Sequence, residues 1–110
     1  MARLRSDFWV AAFLRLKNAD GVTAVLRRRG AAEAGAIYIK VDCLDGRARL
    51  FSPAPYGAAG GDDESLQRQF ALMLESDPLT IEARITREIG YDGDLWLIEI
   101  EDRSGELQLP

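Results

Sequence analysis

The sequence predicts an α+β fold: a mostly antiparallel sheet of about five strands with two helices packed on one face. Three observations carry that expectation. Residues 36–52, AIYIKVDCLDGRARLFS, read as a β-hairpin. Residues 6–17 and 78–90 each repeat apolar side chains at helical spacing. Residues 95–101, LWLIEIE, alternate as a strand. At 110 residues the chain reads as one domain, 1–110.

The hairpin is the best-specified piece. Asp45-Gly46 suits a two-residue type I′ turn, where both central residues take positive φ. That loop sets Val41 against Leu50 and Asp42 against Arg49, an attractive cross-strand pair worth roughly 0.2–1 kcal/mol. Ile37, Ile39, Val41, Cys43, Ala48 and Leu50 then share one buried face.

In chain order, Ser6 is the expected N-cap of the first helix, with Asp7 in its first turn. Phe8, Trp9, Ala12, Phe13 and Leu16 form its apolar stripe, and Gly21 ends it. Val22 to Arg29 is a strand, rich in β-branched residues at its start. Gly30 to Gly35 is a flexible loop into the hairpin, so three strands form an antiparallel meander. Residues 53–64 are irregular, and Tyr56 to Glu64 is read as a mobile surface loop. Leu66 to Glu75 fits either type of element, with a strand over 68–74 favoured. Ser76-Asp77-Pro78 starts the second helix, with Leu79, Ile81, Ile85 and Ile89 as its stripe and Gly90 as its stop. Tyr91 to Asp94 turns into the last strand. Residues 102–110 are an edge strand or a frayed tail.

Composition removes several chemistries. The chain has no histidine, which excludes histidine triads, ligands and pH switches. One cysteine, Cys43, excludes an internal disulfide and a cysteine-cluster zinc site. No apolar run approaches the ~20 residues that span a bilayer. Phe8 to Leu14 lacks the flanks and cleavage site of a signal peptide, so a cytoplasmic location with no membrane contact is expected. The net charge of −4 is unevenly spread. Residues 1–30 carry seven basic and two acidic side chains; residues 62–110 carry four and thirteen. Opposed halves of this kind attract within one fold or across a homodimer.

Three blocks carry a family resemblance: RLRSDFWVAAFLR (Arg3–Arg15), LDGRARLFSPAP (Leu44–Pro55) and REIGYDGDLWLIEIEDRSG (Arg87–Gly105). Together they resemble an uncharacterised bacterial family, the domain of unknown function 1491. The resemblance implies a small cytoplasmic bacterial protein. It brings no activity, cofactor or catalytic residue to any position.

Two constellations remain. Arg27, Arg29, Arg47 and Arg49 would form a basic sheet face if the meander holds, suited to a protein partner or to self-association; nucleic acid ranks below, because the protein is acidic overall. Asp92, Glu99 and Glu101 form an acidic cluster, the alternative site. Glu99 and Glu101 sit about 7 Å apart along one strand face, a spacing that can hold Mg²⁺ in a metal-dependent phosphodiesterase or nuclease. A solvated strand face is the stronger reading of it. The expectation is therefore a small interaction or regulatory module, self-associating and non-catalytic, with no catalytic residue, metal or cofactor assigned.

Overall fold

A computed structural model describes residues 4–55, 68–107 and 109–110. Two helices and a five-stranded sheet follow in the order α1 (Ser6–Ala19), β1 (Thr23–Arg28), β2 (Ile37–Asp42), β3 (Ala48–Pro53), β4 (Phe70–Ser76), α2 (Pro78–Tyr91) and β5 (Trp96–Glu101). The α+β class and the mostly antiparallel sheet hold. The mobile loop expected over Tyr56 to Glu64, and the start of the ambiguous stretch at Leu66, lie outside the described residues.

The strand order is β1-β5-β2-β3-β4, with β5 parallel to β2 and every other pair antiparallel. The expected meander is therefore corrected: β5 lies between β1 and β2. Burial explains the placement. Trp96, Leu97, Ile98 and Ile100 are all buried, so β5 is apolar on both faces and needs a strand on each side. In β1 only Ala24 is buried, which suits an edge.

The expectation that both helices share one face is also corrected. Val10 and Phe13 of α1 pack with Ala24, Ile37, Ile39, Val41, Trp96, Ile98 and Ile100. Ile81 and Ile85 of α2 pack with Ala48, Leu50, Leu95 and Leu97. Leu97 and Ile98 are consecutive on one strand and point to opposite faces, so the sheet separates two cores with one helix on each.

The hairpin reverses where expected, but its register is one residue off. Ile39 faces Phe51, Val41 faces Arg49 and Asp42 faces Ala48. Leu44, Asp45 and Gly46 form a three-residue loop, with Leu44 and Gly46 at φ 62° and 88°. Asp42 Oδ1 accepts the Leu44 N–H at 2.9 Å, and Asp45 Oδ1 accepts the Arg47 N–H at 3.0 Å. These two side-chain turns support the extra loop residue. The shift sends Ala48 and Leu50 to the α2 face while Ile37, Ile39 and Val41 stay on the α1 face. It also separates Asp42 from Arg49. A sheet covered on both sides accepts either register, because each buries an apolar set.

Residues 30–35 are a packed junction. The Ser6 and Asp7 N–H groups donate to the carbonyls of Glu33 and Ala32, so this loop caps α1. Arg5 is the N-cap, and Ser6, the first helical residue, instead donates its Oγ hydrogen to the Gly35 carbonyl at 2.7 Å. Trp96 Nε1 donates to the Ala31 carbonyl at 2.8 Å. A Cβ on Gly30 would run into the Asp94 carbonyl oxygen and lie 2.6 Å from Trp96 Cδ1. Beyond β5 the chain turns at Asp102 and lays Leu107 and Leu109 against the α1-side core, rather than adding a strand.

Candidate functional site

On the α2 face, four charged side chains from four elements converge. Arg27 of β1 grips Glu82 of α2 with both terminal nitrogens, at 2.7 and 2.9 Å, and its Nη1 also reaches Glu99 of β5 at 3.0 Å. Lys40 of β2 lies 2.6 Å from Glu82 and 3.7 Å from Glu99. Lys40 is only 5% exposed. Its place inside the apolar strand IYIKVD demands a charged partner, because an unpaired buried ammonium is strongly unfavourable. The Arg27 hydrogen bonds, then those of Lys40, pull the Glu82 carboxyl down from its ordinary 4.5 to about 2. Arg27 is raised in return, chiefly by its bond to Glu82.

One helical turn and more along α2, Glu88 accepts from Tyr38 Oη at 3.3 Å and from Arg84 Nε at 2.8 Å. Burial first, and then the Glu88 charge, push the Tyr38 phenol up. The two networks close upon themselves, with two cations meeting two anions in the first. They tie α2 to the sheet.

The expected basic face is divided by the sheet. Arg27 sits on the α2 side in the network above. Arg49 and Arg47 belong to the opposite side, three strands away, where Arg47 lies 3.7 Å from Glu75. Arg49 Nε is buried without a hydrogen-bond partner among the described residues. Arg29 lies over the Trp96 ring, 5.3 Å from its centre. The acidic trio is likewise spread. Asp92 is the C-cap of α2, Glu99 is held by Arg27, and Glu101 is exposed at the far end of β5. Among the described residues no three acidic or thiol side chains gather as a metal site.

The largest departure lies on α1. The expected stripe named Phe8 and Leu16 as core, yet they are 57% and 65% exposed. Ser6, Val10 and Phe13 are buried instead. Helical periodicity cannot choose a face here, because Phe8 to Leu14 is apolar without interruption. Fixed contacts make the choice. Ser6 Oγ is bound to Gly35 and takes a bond from Arg68 Nη2 at 3.2 Å, and Asn18 is hydrogen-bonded to both backbone groups of Ala24. Trp9 stacks on Phe13 at 4.8 Å and tilts against Phe70 at 5.5 Å. Leu4, 42% exposed, lies just outside the helix, before the N-cap Arg5.

A five-stranded mixed sheet clasped between two helices, with closed ion networks on one side and a doubly apolar helix on the other, defines a small α+β protein. The chain belongs to the family described as "Protein of unknown function (DUF1491)", whose match spans residues 4–109. It is similar to the solution structure of protein Atu0922 from A. tumefaciens, at 36% identity and a TM-score of 0.74, covering 90% of this chain and 86% of that one. It is also similar to a DUF1491 family protein from Caulobacter crescentus CB15. The crystal structure of that protein gives 35% identity and a TM-score of 0.74, over 94% of this chain and 90% of that one. Its NMR structure gives 35% and 0.75, over 96% and 92%. No curated protein matches. No helix among the described residues is long and apolar enough to cross a membrane.

Proposed function

We propose that this protein is a small interaction or regulatory module of the cytoplasm, non-catalytic, whose working surface is the outer side of α1. One observation carries the reading: Phe8 and Leu16 stand exposed at four-residue spacing on either side of Ala12, on a helix already anchored by its other side. An apolar row of this kind is costly in water and typical of a surface that a partner covers. The charged groups favour the same reading. Arg27, Lys40, Glu82 and Glu99 satisfy one another, and the arginines named from sequence lie on both sides of the sheet. Purification from the native cell should recover a bound protein with the wild-type chain and lose it with Phe8→Glu/Leu16→Glu. Equal recovery with both would contradict the reading.

A further inference from the structure

We infer that the partner seated on α1 is a second copy of this chain, its α1 running antiparallel across a two-fold axis at Ala12. This rests on the reading of α1 as the working surface, and names the occupant.

The sequence of the outer face complements itself. Phe8, Ala12 and Leu16 form one ridge at four-residue spacing, and Ala11, Arg15 and Ala19 the next. A two-fold axis through Ala12 seats Phe8 of each copy against Leu16 of the other. The alanines permit close approach where the helices cross. At the ends the charges are opposite: Arg5, 45% exposed and already paired with Asp7 of its own chain at 3.1 Å, precedes the helix, and exposed Asp20 follows it. The antiparallel arrangement brings Arg5 of each copy to Asp20 of the other, so one contact is made twice, as a two-fold interface requires. It also opposes the helix dipoles favourably. Asp20 has no ion pair within its own chain among the described residues.

Other routes to self-association are poorer. Both sheet edges are bulged, β1 at Arg27 and β4 at Met73, and a bulged edge is a bad template for strand addition. On α2, the exposed Leu79 and Tyr91 stand at opposite ends, with Glu82, Arg84, Arg87 and Glu88 between them. One helix of about 21 Å buries less than a standard interface, so the dimer is a weak one, with a dissociation constant of roughly tens to hundreds of micromolar.

Sedimentation equilibrium of the full chain from about 10 µM to about 1 mM tests this. The wild type should pass reversibly from monomer to dimer. Phe8→Glu and Leu16→Glu should each weaken the dimer by at least ~10-fold with an unchanged far-UV spectrum, while Leu79→Glu leaves it unaltered. Arg5→Glu and Asp20→Arg should each weaken it by about threefold or more, and the combined Arg5→Glu/Asp20→Arg should restore it to within about twofold. That rescue is specific to two copies meeting antiparallel. A wild type monomeric throughout, or a dimer indifferent to Phe8 and Leu16, overturns the inference. Should the wild type stay monomeric while Phe8→Glu/Leu16→Glu still loses a protein captured from the cell, the second-copy inference falls and the reading of α1 stands. If neither effect is seen, both fall.

Discussion

The two faces of the sheet are closed by different physics. On the α1 side the seal is shape: Trp96, Ile98 and Ile100 against Val10 and Phe13, with the C-terminal leucines laid alongside and a glycine-bearing junction seating the helix. On the α2 side a smaller apolar cluster is completed by charge, with Lys40 and Arg27 of the sheet gripping Glu82 of the helix. The difference teaches which helix is free to do something else. Two acidic side chains of α2, Glu82 and Glu88, are engaged by the sheet that the helix covers. α1 is held by backbone, stacking and apolar contacts on its inner side and keeps a second apolar side outward.

The comparison can be broken most severely at the junction. Gly30→Ala should cost about 3 kcal/mol or more, because the new methyl meets the Asp94 carbonyl and the Trp96 ring, neither of which can yield cheaply. Thermal and urea unfolding would measure it; a loss below about 1 kcal/mol would mean that the packing there is not shape-limited.

On the other face, Glu82→Gln should cost about 2 kcal/mol, since Lys40 is left buried with Glu99 at 3.7 Å as its remaining carboxylate. Lys40→Met should cost less, about 1 kcal/mol or below, because Arg27 still satisfies Glu82 and the methionine fills the site. Reversal of that order would show that Lys40, not Glu82, is the hub.

Acid should separate the faces further. The Glu82 carboxyl titrates at about 2 in the folded chain against an ordinary 4.5. A depressed folded value means stability that is complete above the unfolded value and is lost as pH falls toward 2. With the side chain 36% exposed, solvent screening reduces that contribution to about 1–2 kcal/mol. Between pH ~5 and ~2 the wild type should lose more stability than Glu82→Gln does. Parallel curves would remove Glu82 from the account. The smallest effect belongs to Leu79→Ala: at 82% exposure it should change stability by less than about 0.5 kcal/mol.

Legibility followed burial. Helix α2 was readable almost to the residue, because Asp77-Pro78 marks its start and its apolar stripe is narrow. Strand β5 was readable as a strand, but its central place was signalled only by Trp96-Leu97-Ile98, three apolar residues that break alternation. The hairpin turn was visible, while its register was not, because Arg49, Phe51, Ala48 and Leu50 give both faces of β3 something to bury. The outward side of α1 was hidden by its excess of apolar residues, and the Ser6–Gly35 bond that fixes it spans 29 residues. The ion network was not foretold: a lysine amid IYIKVD calls for an anion, but nothing local identifies Glu82, on a helix 42 residues away, as that anion.

The most direct test of the claim that the outer side of α1 is the working surface is a ¹⁵N-resolved dilution series of the unmodified chain. Amide shifts that move with concentration should map to residues 4–20, centred on Ala12, and leave α2 and both sheet edges still. Shifts centred on β1, β4 or α2, or none up to ~1 mM, would contradict it.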